Sequence, residues 1–193
     1  MTADSIKNLC LLALGYEEEI DFADTSNSIV AKFNIFYGVA KTSTIQRYPW
    51  TFSIKDVELS GQTDLTDKEF LYSYDLPTDF IVYRNAFHAS NMYTPILNYR
   101  VDLQNGKFYT DSNAVFLRYS YETDEIYWPQ YFIDYFKYKM AMDICYNFTG
   151  DSELLATLQK QEQFYYLDSK SVDARQTKTK VIKSSPFTAV RAF

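Results

Sequence analysis

Between residues 51 and 121 apolar side chains recur at every second position, whereas on both flanks they recur every three or four. Period two lines one face of a strand and a period near 3.6 lines one stripe of a helix, so one kind of element cannot hold both. The chain is therefore expected to fold as helices at both ends of a β region. In the opening segment Asp4 or Ser5 can cap a helix striped by Ile6, Leu9, Cys10 and Ala13, with Gly15 as its stop. Thr25-Ser26-Asn27 offers caps for a second helix carrying Ile29, Phe33, Phe36 and Ala40. Pro49 ends it, because the residue before proline is pushed out of the α region.

Alternation in TFSIKDVEL, in FLYSYDLPTDFIVYR with a break at Leu76-Pro77, and in AVFLRYSYE predicts strands. Asn105-Gly106, inside ILNYRVDLQNGKFYT, favours positive φ and predicts a hairpin closed by a type I′ turn. A meander is expected. Pro129 then opens a third helix in which Phe132, Phe136, Met140, Ile144 and Phe148 repeat every four residues up to Gly150. Asp151 or Ser152 recaps a fourth helix, bearing Leu154, Leu155, Leu158 and Tyr165 and running to about Gln176, so the last two helices form a hairpin.

The fold class that follows is α+β. Residues 1–50 and 129–177 supply a helical bundle, residues 51–128 form an inserted antiparallel β region, and residues 178–193 form an extended arm. A chain of 193 residues can bury about 70% of its unfolded surface, so no covalent staple is needed. Cys10 and Cys145 lie in apolar helical surroundings without a CxxC or Cys/His partner and read as buried free thiols of a reducing compartment. The apolar stretch NLCLLALGY is too short to span a bilayer and lacks a basic flank, so the protein is expected to be soluble and cytosolic when made.

Catalytic raw material is scarce. His88 stands alone and reads as a surface or loop residue, and there is no GxSxG, P-loop or GxGxxG. The carboxylates of YEEEIDFAD and YETDEIY lack calcium-loop spacing and read as solvated. No catalytic residue, metal or cofactor is assigned. By contrast 18 Tyr, 15 Phe and 2 Trp exceed what one small core needs, and Tyr tolerates half-wet contacts, so the excess points to assembly. Tyr72, Tyr74, Tyr83 and Tyr99 leave a rival open, a carbohydrate-binding or hydrolytic protein.

Net charge is −6, unevenly placed. Arg175, Lys178, Lys180, Lys183 and Arg191 follow the last acid, leaving 14 bases against 25 acids, or −11, in the body. An acidic body with a basic arm suits contact between copies, whereas a DNA-reading domain is usually basic throughout. A DNA-binding accessory role rests on the arm alone.

RYPWTFSIKDVEL followed by YDLPTDF resembles the head-to-tail adaptors of short-tailed bacteriophages, the tail tubular protein A family. Asn8-Leu9 with Leu14-Gly15 and Glu17 is similar to that family's opening helix and turn. Tyr99-Arg100-Val101 with Gly106 and Tyr109-Thr110 is similar to its central hairpin. Tyr119-Ser120-Tyr121 before Pro129 and Phe132, and Asp168 to Gln176 with Asp173-Ala174, resemble its return strand, third helix and last helix end. The resemblance spans nearly the whole chain through the order of these pieces. The sheet is shorter and richer in Tyr than the family's, and the arm matches no family pattern.

The resemblance implies a structural virion protein at the head–tail junction. It would form a homo-oligomeric ring, dodecameric in that family, between the portal protein and a tail tube or nozzle protein. Genomic DNA would pass through the ring without sequence-specific binding. An acidic lining would repel phosphate and let DNA slide. Ordering the arm's roughly 16 residues costs about 1–2 kcal/mol each in backbone entropy, whereas burying a Phe returns only about 1.5–3 kcal/mol. The arm is thus expected to order only on a partner, the portal or a neighbouring subunit, through Lys178, Lys180, Lys183, Phe187, Arg191 and Phe193.

Overall fold

The computed structural model describes residues 1–24, 28–65, 69–88 and 91–177. It is an α+β fold in the order expected. Among the described residues four helices, α1 (Ala3–Ala13), α2 (Ser28–Arg47), α3 (Gln130–Thr149) and α4 (Ser152–Ala174), flank in sequence eight strands between Ile54 and Tyr121. The four cap residues proposed at 151–152 and 4–5 fare differently. The Asp151 carboxylate accepts from the backbone N–H of Glu153 and Leu154 and caps α4 as expected. In α1 the cap is Thr2, whose hydroxyl accepts from Ser5 N, because the helix begins two or three residues earlier than an Asp4 or Ser5 cap would allow. The Thr25-Ser26-Asn27 cap lies outside the described residues.

Gly150, at φ 66°, ends α3 in the left-handed region that a side chain disfavours, and α4 starts two residues later. The two helices pack antiparallel, with the α4 hydroxyl of Ser169 donating to Tyr131 O near the start of α3. α1 and α2 cover the rest of α3. On α2 the buried stripe is Val30, Phe33, Tyr37, Ala40 and Thr44, while Ile29 and Phe36 are only half-buried. The buried face keeps Phe33 and Ala40 but is shifted by about 50°, half a residue step, from the stripe read off the sequence, and the Tyr37 hydroxyl lies on Glu125.

The bundle core is aromatic. Trp50 is fully buried between Phe132, Tyr135 and Tyr48, at ring-centroid distances of 5.1, 5.8 and 4.8 Å, and its indole N–H donates to Thr44 O. Trp128 closes the other side of Phe132 at 4.8 Å. Cys10 and Cys145 are buried free thiols in this core, as expected.

The β region is not a meander. β1 (Ile54–Glu58), β8 (Val115–Tyr121), β4 (Phe80–His88) and β5 (Asn91–Pro95) form one sheet in that spatial order. β2 (Thr63–Asp64), β3 (Tyr72–Asp75), β7 (Lys107–Thr110) and β6 (Tyr99–Asp102) form the other. The strand that leaves the bundle pairs with the strand that returns to it, Ile54 opposite Ser120 and Glu58 opposite Phe116, which closes the neck of the β region. Leu59, Ala86, Leu117 and Tyr119 from one sheet meet Tyr74 and Phe108 from the other in a second, smaller core. The Asn105-Gly106 hairpin is present, but Asp102 pairs with Lys107, so four residues and not two make the turn. The Asp102 carboxylate accepts from Asn105 N and Nδ2, stabilising the longer loop in place of a type I′ turn.

Candidate assembly surfaces

Three polar joints fix the β region on the bundle and so fix what the molecule presents outward. At the first, the pairing of β4 with β8 slips between Tyr83 and Asn85, leaving Arg84 as an extra residue. A bulge re-aims its side chain. The Arg84 guanidinium donates to Ser120 Oγ at 2.8 Å and to the carbonyls of Ile45, Gln46 and Tyr48 at 2.8, 3.1 and 3.0 Å. Those carbonyls belong to the end of α2, where no intrahelical donor remains, and the positive charge meets the negative end of the helix dipole. Burial pulls the Arg84 pKa below its ordinary value.

Asp173 makes the second joint. Its buried carboxylate accepts from Thr51 N, from Thr51 Oγ1 at 2.8 Å and from the Tyr131 hydroxyl at 2.7 Å, tying the end of α4 to the neck and to α3. Burial first, and then this carboxylate, push the Tyr131 phenol well above its usual range. At the third joint Lys41, on α2, pairs with Glu122 at 3.2 Å and Glu125 at 3.1 Å. These are carboxylates of YETDEIY that the sequence leaves to solvent. Arg47 adds a bond to Glu162 of α4 and donates to the Tyr135 hydroxyl at 2.9 Å.

Apolar side chains also face outward. Ile35 and Val39 stand one turn apart on α2, 69% and 66% exposed, beside Gly38 and Thr42. On α4, Phe164 and Leu167 stand three positions apart, 62% and 55% exposed. Neither pair has a role in the core, and each projects from a helix whose opposite face is already packed on α3. Solvent-facing apolar pairs at helical spacing on two different helices are suited to protein contact.

The residues assigned to the interface by sequence, Lys178, Lys180, Lys183, Phe187, Arg191 and Phe193, lie outside the described residues. His88 is not in a loop: it closes β4, half-buried, with Nδ1 3.1 Å from Ser112 Oγ. Of the strand tyrosines, Tyr74 is buried, donating to Ser112 O, and Tyr83 stacks on Tyr99 at 4.6 Å with Phe108 beyond. Those rings occupy one another's faces. Among the described residues no group of three His, Cys, Asp or Glu is placed to hold a metal ion, and no described helix is long and apolar enough to cross a membrane.

The sequence reading missed Ile35, Val39, Phe164 and Leu167. A signal for the first pair was present, because α2 carries apolar residues around much of its circumference, more than packing on one side requires. No signal marked Arg84 or Asp173, since bulge and neck are set by pairing partners distant in sequence. No family model matches the chain, and comparison with curated proteins finds no relative.

Proposed function

We propose that this protein is a ring-forming structural adaptor of a short-tailed bacteriophage, set between the portal protein and the tail tube at the head–tail junction of the virion. The observation that carries the reading is the pair of unpartnered apolar faces, Ile35/Val39 on α2 and Phe164/Leu167 on α4, on one braced bundle. Two unlike surfaces on one subunit are what a heterologous contact uses, and such contacts close into rings when the rotation between neighbours allows it. The resemblance of the chain's ordered pieces to the tail tubular protein A family supports the same reading and supplies the dodecameric stoichiometry. The β region, held at its neck by Arg84 and Asp173, would project from the ring toward a neighbouring virion component. The acidic body, at −11 before residue 175, suits a channel along which DNA slides without sticking.

Negative-stain imaging of the full chain, alone and mixed with the portal protein of the same phage, tests this. Closed rings are expected, and Ile35→Glu or Phe164→Glu should abolish them while leaving folded subunits. Mixing the two variants should restore pairwise association, because each retains the face that the other lacks. Subunits that stay single with portal present, at micromolar concentration, would exclude the adaptor role.

A further inference from the structure

Between α1 and the loop after it runs a groove that neither core fills. Its floor is apolar, from Leu9, Leu12 and Tyr16, and Glu17, Glu18 and Glu19 stand on its rim. Leu12 is 60% exposed. The three glutamates are exposed and have no ion-pair partner among the described residues. The rim is also held in place. Asn8 Nδ2 donates to Ile20 O at 3.2 Å and Asn8 Oδ1 accepts from Ile20 N at 3.0 Å, a reciprocal pair that clamps the loop to the helix. At about 320 Å³ the groove lies at the small end of ligand-sized clefts, suited to side chains of an extended segment and not to a whole helix.

Three clustered negative charges beside exposed leucine select an occupant that is basic and apolar together, and repel an acidic one. Residues 178–193, KTKVIKSSPFTAVRAF, have that composition: Lys178, Lys180, Lys183 and Arg191, no acid, and Phe187 and Phe193. Fully extended they span up to about 53–58 Å. We propose that residues 178–193 of one copy dock in the α1 groove of a neighbouring copy, phenylalanine on Leu9, Leu12 and Tyr16 and bases toward Glu17, Glu18 and Glu19. The assignment to a neighbour rests on the ring reading: a strap crossing between copies adds a second pair of unlike surfaces, whereas one folded back on its own chain adds none.

Cross-linking in the full chain tests it, since Cys10 and Cys145 are buried and introduced thiols are the reactive ones. A Leu12→Cys chain is mixed with a Phe187→Cys chain and oxidised mildly. A covalent dimer joining the two variants is expected in excess over either homodimer. It should fall about tenfold or more when the Leu12→Cys chain also carries Glu17→Lys, Glu18→Lys and Glu19→Lys, the scale on which three exposed pairs turn from attraction to repulsion. Circular dichroism confirms that each variant is folded. Absence of the mixed dimer, or its indifference to the glutamate changes, overturns the proposal. So does a doubly substituted chain that closes only on itself. Light scattering on the unoxidised protein separates the two ideas. Rings without the cross-link sink the strap and keep the ring, and the cross-link without rings does the reverse.

Discussion

The bundle and the β region are built on different terms. Among the described residues the bundle core holds 21 buried hydrophobic residues, dominated by rings packed edge to face around Trp50 and Phe132, while the β core holds 8. The β strands are otherwise half-buried, and cross-strand polar pairs such as Arg118 with Asp56, bidentate at 2.7 Å, and Lys107 with Asp75 line their wetter faces. Free energy of burial scales with apolar area removed from water, so the bundle core contributes more of the fold's stability than the β core. A chain made this way has a helical body from which apolar faces project and a thinner β platform.

Trp50→Ala would break the comparison most forcefully. Emptying a fully buried ring site costs about 3–5 kcal/mol, and urea unfolding should show loss in both regions at once, since Trp50 immediately precedes Thr51, which anchors the start of the neck on Asp173. A β region that kept its amide protection in this variant would make the insertion the independent unit. Next in size is Arg84→Met. It leaves three carbonyls at the end of α2 and the buried Ser120 hydroxyl without their donor, for a loss of about 2–3 kcal/mol. Hydrogen exchange should then show the β region opening at lower free energy than the bundle, sharpening the separation. Equal opening would mean that the neck strands alone couple the two.

The smallest effect concerns pH. Burial raises the Asp79 pKa, but hydrogen bonds from Lys55 and Tyr119, at 2.6 and 2.8 Å, outweigh it and hold it below the ordinary carboxylate value. A depressed folded pKa contributes stability that is present above the unfolded pKa and lost as pH falls through the folded one. Acid titration of stability should therefore show a modest β-region loss below about pH 4 that Asp79→Asn removes. Identical acid curves for the two proteins would shift the β region's acid sensitivity elsewhere.

Much of this architecture is legible in the order of residues. The change of hydrophobic period located both helical flanks, Pro49 and Pro129 marked the edges of the insertion, and Asp151 and Gly150 fixed the α3–α4 turn within a residue. These signals are local: a cap, a proline or a left-handed glycine acts through bonds a few positions away. The rotation of α2, the replacement of a meander by two facing sheets, and the placing of His88 on a strand end were not legible. Each depends on a partner tens of residues distant.

What the sequence by itself determined is which segments are helix or strand and that the chain carries more aromatic and apolar surface than one core uses, because backbone preference and composition are properties of short stretches. Only the tertiary structure decided where that surplus lies, on the outward faces of α2 and α4 and over the α1 groove, since a side chain is left in water only after every other element has claimed its neighbours.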